Sequence, residues 1–184
     1  MSTKNELQKR LLTDIKVELS EEYDGNFTRK AFFDRPWTGR QGPKRRGTLM
    51  AVSNRLRRSY RGTIDGNSIR FSSDAPYAGI HHKGGKIKVT PQMRRYFWAQ
   101  YYKLSGQQTR GKSGKIGNTD RNRQLNSQAE FFKNMALTKK PSIVIPKRQV
   151  IGNHPRVKEV VDSVAKRAIK EYAEKKLLPT LKKR

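Results

Sequence analysis

The stretch Tyr77-Ala78-Gly79-Ile80-His81-His82-Lys83-Gly84-Gly85 lies between two strand-like runs. Pro76, just ahead of it, suits the opening of a short helical or turn segment. The paired glycines end that segment, because glycine reaches positive φ at little cost. Lys86-Ile87-Lys88-Val89-Thr90 then alternates with the period of a strand. Far downstream, Ile145-Pro146-Lys147-Arg148-Gln149-Val150-Ile151-Gly152 forms a second punctuated segment. Neither has the residue pattern of an enzyme's reacting centre.

Working outward, 56–64 and 68–73 read as the arms of a hairpin turned by Asp65-Gly66-Asn67. Tyr60, Ile64, Ile69 and Phe71 are expected on or beside its buried face. Near the N-terminus, Leu7, Leu11, Leu12, Ile15 and Leu19 recur at helical spacing. They predict an amphipathic helix over 4–19, resuming or continuing through Tyr23, Phe27, Ala31 and Phe32 until Pro36 stops it. Segment 38–47 has loop composition. Pro91 opens a helix over 91–104, with Met93, Tyr96, Phe97 and Tyr101 on one stripe. Residues 105–124 hold four glycines, five basic residues and one acid, the make-up of a flexible loop. A helix over 125–137, a strand over 142–146 and a long helix over 156–177 complete the chain. The order predicts an α+β fold, with a small antiparallel β-sheet packed against N- and C-terminal helices and with long basic loops. The strands at 86–90 and 142–145 are expected to join the hairpin in that sheet. The 184 residues are read as a single domain, 1–184, carrying a helical and loop insertion at about 91–140.

Lys and Arg number 42 against 15 Asp and Glu, a formal net charge of +27. Such a chain attracts any polyanion, releasing counterions as it neutralises phosphates. The charge comes in long runs. Between Thr38 and Ile64 there are eight basic residues and no acid; between Ala75 and Thr119 there are nine and none. Candidate contacts to a polyanion or a partner are Arg40, Lys44, Arg45, Arg46, Arg57, Arg58, Arg110, Lys112 and Lys115. Aromatics interleave with this charge in Arg94-Arg95-Tyr96-Phe97-Trp98 and Tyr101-Tyr102. In an RNA binder they would stack bases; at helical spacing the commoner use is core or interface. The apolar fraction, 33%, allows only a small core and leaves room for burial against other subunits. The absence of cysteine excludes disulfides and thiolate metal sites. No run approaches the ~20 apolar residues of a membrane span, so no membrane partner is expected. Met1-Ser2-Thr3-Lys4-Asn5-Glu6-Leu7 lacks an apolar signal core, and assembly in the cytoplasm is the expectation.

Three patterns suggest chemistry and are outweighed. His81-His82, with His154, offers imidazoles for a metal or a general base. Adjacent side chains diverge, however, and Asp74 is the nearest acid that could orient a ring. Gly106-Gln107-Gln108-Thr109-Arg110-Gly111-Lys112-Ser113 satisfies the letters of a phosphate loop. A true one follows a buried strand and opens a helix, and this one follows an aromatic-rich helix and runs on into Gly114 and Gly117. Gly84-Gly85 has no Lys-Ser/Thr partner. No catalytic, metal or cofactor residue is therefore assigned, and the chain is not expected to be an enzyme.

The order of segments carries a more specific message. A helical start leads to Pro36-Trp37, then Leu49-Met50-Ala51-Val52-Ser53-Asn54-Arg55-Leu56-Arg57-Arg58-Ser59, the hairpin, and Tyr77-Ala78-Gly79-Ile80-His81-His82-Lys83-Gly84. A variable insertion precedes Ile145-Pro146-Lys147-Arg148-Gln149-Val150-Ile151-Gly152 and the last helix. This succession resembles the virion-morphogenesis, or tail-completion, proteins of Mu-like and P2-like phages. Tyr77, Ile80, His81, Gly84, Pro146, Arg148 and Gly152 are the positions that match its motifs. Asn54 stands where the family usually has glycine, and Gln149-Val150-Ile151 replaces proline-phenylalanine-leucine. The resemblance implies a structural protein of the virion neck or tail. It would assemble as a homo-oligomeric ring, hexameric by the resemblance, that lets the tail join the head. Its neighbours would be connector or portal-side and tail-tube proteins, with non-specific contact to packaged DNA. The basic loops at 38–47 and 105–124 are then expected to be interface arms ordered on assembly. The competing class is a basic RNA- or DNA-binding protein of ribosomal type, which accounts for the charge but not for the paired motifs.

Overall fold

The computed structural model describes residues 3–43 and 47–177. The chain divides into two compact units, one formed by 1–37, 49–83 and 147–184, the other by 38–48 and 84–146.

The first unit is built on α1 (Thr3–Arg29) and α6 (Pro155–Tyr172). The i, i+4 series Ile15, Leu19, Tyr23 and Phe27 is buried throughout, which carries α1 unbroken past residue 19 to Arg29. From α6, Val160 and Val164 meet Ile15, Leu19, Tyr23 and Phe32 in one cluster. The helices run antiparallel, as three ion pairs show: Arg10 with Glu171, Arg167 with Glu18 at 2.7 Å, and Arg156 with Glu22 at 3.0 Å. Each joins a half-exposed arginine to a partly covered carboxylate and contributes little alone. A turn of π-helix, Ala173–Leu177, follows α6.

The expected helix through Ala31 and Phe32 is absent. Lys30 adopts φ 55° and ends α1, and β1 (Ala31–Phe32) and β2 (Arg35–Pro36) form a minimal hairpin turned at Phe33, φ 56°. Asn26 decides this local geometry: it is fully buried, and its Oδ1 accepts the Phe33 N–H at 2.9 Å. A short helix, α2 (Arg55–Ser59), leads into β3 (Tyr60–Asp65) and β4 (Ser68–Ser73). Ile64 pairs with Ile69 across the Gly66-Asn67 turn, so the expected hairpin forms, but 56–59, expected in its first arm, belong to α2. Phe71 packs edge-on against Tyr23 at 4.9 Å, whereas Ile64, expected on or beside the buried face, is exposed. Gly62 lets Phe71 and α1 close over the hairpin; a Cβ there would lie 2.8 Å from the Phe71 ring and 3.0 Å from Lys16 Cγ.

The second unit pairs β5 (Gly85–Lys88) with β6 (Ser142–Ile145) and packs α4 (Pro91–Gly106) on α5 (Asp120–Leu137). Thr90 caps α4 and Pro91 takes its first position. Phe97, Phe132 and Ala136 are its buried centre. The α+β class holds, but the single sheet does not: the strands form three separate two-stranded antiparallel sheets. The 60–73 hairpin is covered by α1 in the first unit, while β5 and β6 pair only with each other in the second.

Candidate assembly surface and the paired motifs

The two punctuated segments meet. α3 (Ala78–Lys83) ends at Gly84, φ 75°. The His81 carbonyl accepts the Arg148 N–H at 2.8 Å, and His82 Nδ1 accepts the Val150 N–H at 3.4 Å. Within the second unit, Gly85 pairs with Ile145.

Segment 148–152 belongs to no helix or sheet, so its polar backbone must be satisfied otherwise. Side chains do this. Trp37 Nε1 donates to the Gln149 carbonyl at 2.7 Å, Asn26 Nδ2 to the Val150 carbonyl at 2.9 Å, and Tyr23 Oη to the Gly152 carbonyl at 2.9 Å. Val150 is wholly buried among Phe27, Trp37, Leu56, Ala75 and Ala78. Gly152 holds φ 135°, a region that side chains rarely adopt. The histidines are thus structural. Burial, with Arg148's charge behind it, depresses the His81 pKa; burial, with Lys147 and Lys83, depresses that of His82. His154 caps α6, accepting the Arg156 N–H at 3.1 Å, and its Nε2 lies 2.8 Å from Asp34. Among the described residues no three His, Asp or Glu side chains converge as a metal site.

The motif positions divide by role. His81 is half-buried and Arg148 is buried, but Tyr77 is exposed, with only an edge contact to His81 at 6.1 Å. The buried anchors of this segment are Ala75 and Ala78. Ile80 and Pro146 are partly covered. Tyr23, Asn26 and Trp37 are missing from the sequence-derived set. An asparagine inside an apolar helical stripe was the available signal for Asn26, because a buried amide demands partners.

The basic candidates also divide. Arg57 pairs with Asp24 and holds that carboxyl below its ordinary range, so it is engaged within the fold. Arg58 is exposed. Arg40 Nη2 donates to the Thr48 carbonyl at 2.9 Å. Gly42, φ 87°, lies so close to Phe131 that a Cβ would stand 2.4 Å from the ring. Lys44, Arg45 and Arg46 lie outside the described residues. Arg110, Lys112 and Lys115 are exposed on a hairpin-like loop. Among their described residues both loop segments carry hydrogen bonds or packing of their own. The phosphate-loop letters fail structurally too: Gly111 N–H donates to the Lys115 carbonyl at 2.9 Å, and α5 starts only at Asp120.

With the paired segments in contact, their joint presence is a property of the fold. A model of the phage virion morphogenesis family matches residues 8–170 of this chain. The chain belongs to that family. Comparison with curated proteins and with solved structures returned no match. The match spans α1, both motif segments and nearly all of α6, so this virion morphogenesis protein carries the family pattern over both of its units. Its role lies in building the phage virion. Among the described residues no helix is long and apolar enough to cross a membrane.

Proposed function

We propose that this virion morphogenesis protein is a structural component of the head–tail junction, completing the tail or neck as a ring of subunits so that the tail can join the head. The observation that carries the reading is the family match over 8–170, together with the motif segments that the fold brings into contact. The surface supports association. Tyr96, Tyr102, Ile116, Leu137 and Val144, all in the second unit, are at least half exposed. Among the described residues that unit buries few apolar side chains, Phe97, Ala129, Phe132 and Ala136, so burial of these exposed side chains against neighbouring copies would add stability. Connector or portal-side and tail-tube proteins are the neighbours such a ring would have. The protein acts there by contact, without catalysis.

The test is the mass of the purified protein across a concentration series, followed by mixing with purified heads and tails. A discrete ring species that restores head–tail joining is expected. A strict monomer that never associates with either would sink the proposal. A ribosomal-type nucleic-acid binder would instead show tight preference for one structured RNA.

A further inference from the structure

We propose that the loop 109–117 is a preformed hairpin that contacts duplex DNA through its phosphates, without reading sequence. Its location on DNA in the virion rests on the head–tail reading; its binding chemistry does not.

The loop is built, not slack. Arg110 and Ile116 form an antiparallel bridge. Gly117 N–H donates to the Thr109 carbonyl at 3.0 Å, and Gly114 N–H to the Gly111 carbonyl at 2.9 Å. Asn122, 2% exposed, clamps the base. Its Oδ1 accepts the Thr109 N–H at 3.0 Å, and its Nδ2 donates to the carbonyls of Thr109 at 2.9 Å and Gly117 at 2.7 Å. The clamp stands in the first turn of α5, whose cap is Thr119.

What this frame presents is cationic and thin. Arg110, Lys112 and Lys115 are exposed, with Ser113 and two glycines between them. Arg110 uses one nitrogen on the Gly114 carbonyl at 3.0 Å; Lys112 and Lys115 form no ion pair among the described residues. No acid occurs from Ala75 to Thr119. The second unit as a whole carries seventeen Lys and Arg against two acids, a balance of +15, whereas the first carries twenty-five against thirteen, +12.

Phosphate suits this surface better than protein does. Protein interfaces take their energy from buried aromatic and arginine anchors and are poor in lysine. Here the tip residues are Gly, Lys and Ser. Their attraction to a polyanion comes from counterion release, and the preformed frame lowers the ordering cost of binding.

The experiment uses the full chain and a labelled random-sequence DNA duplex, titrated over a series of salt concentrations. Lys112→Gln/Lys115→Gln removes two contacts and leaves Arg110 on Gly114. The slope of log affinity against log salt should fall by about 2. Lys158→Gln/Lys166→Gln, exposed on α6, removes equal charge and should leave the slope near that of the parent. Equal slopes for the two variants would overturn the proposal, since charge would then act only in sum. A tip variant that binds DNA like the parent but no longer joins heads or tails would also overturn it, making the hairpin a contact for an acidic protein. Preference for a structured RNA over the duplex would do the same. A strict monomer whose DNA binding still depends on the tip would remove the ring and keep this inference.

Discussion

Asn54 adopts φ 57° ahead of α2, and its identity follows from that angle. Left-handed backbone is open to glycine and, among side-chain residues, most readily to asparagine. Asparagine therefore holds this turn at little cost where most side chains would be strained. Tyr60 is a different kind of exception. Its hydroxyl is buried without a hydrogen bond, and burial pushes its pKa up to about 12. Removing an unsatisfied hydroxyl while keeping the ring removes a desolvation cost. Tyr60→Phe should raise stability, by about 1 kcal/mol on denaturant titration. Gly152→Ala should lower it. The new Cβ would meet only the flexible end of Gln149, but the backbone at φ 135° is strained for alanine, at a cost of about 1–3 kcal/mol in the same titration. At this scale the sequence shows which residues are unusual more readily than what they touch. Tyr77, a position picked out by the motif, is exposed. The buried positions are Ala75 and Ala78, where a small side chain lets α3 approach Val150 closely.

Among the elements, helices with a clean apolar stripe are legible from sequence, and α4 and α6 start at the prolines that announce them. The start of α5 was not. Its first turn, 120–123, is polar, and the signal was the Thr119 cap followed by Asn122, both of which face the loop rather than the core. Asn122→Ala should therefore loosen the loop without unfolding α5. Trypsin should cut after Arg110, Lys112 or Lys115 much faster in the variant than in the parent, with helix content by circular dichroism little changed. The meeting of α3 with 148–152 gives a pH dependence. The folded pKa of His81 and of His82 lies below the imidazole's ordinary value, so the unfolded chain binds more protons. The stability they confer is complete above about pH 6.5 and is lost as pH falls from there through the folded pKa values. Melting temperature should drop as pH falls from about 7.5 to about 5, and His81→Phe should reduce that drop.

For the whole molecule, two properties escaped the sequence. One is the division of the strands among three small sheets. Alternation identifies a strand, but only tertiary contact assigns its partner. The other is the distribution of charge, because 38–48 and 84–146 are far apart in sequence and join in one unit. A balance of +15 over that unit opposes its compact state through self-repulsion, which salt screens. Hydrogen exchange at rising ionic strength should show amides of α4 and α5 gaining more protection than those of α1 and α6. Equal gains would show that the segregated charge does not set local stability. The interior position of Val150 has a consequence for how the molecule is made. Residues 27–78 build a core around a side chain that is synthesised some seventy residues later, and the bonding groups of Tyr23, Asn26 and Trp37 await carbonyls from 149–152. The N-terminal half emerging from a ribosome therefore has no complete interior to fold around. The first unit closes only when nearly the whole chain has been translated, and a message cut short before Val150 would yield a chain that cannot settle.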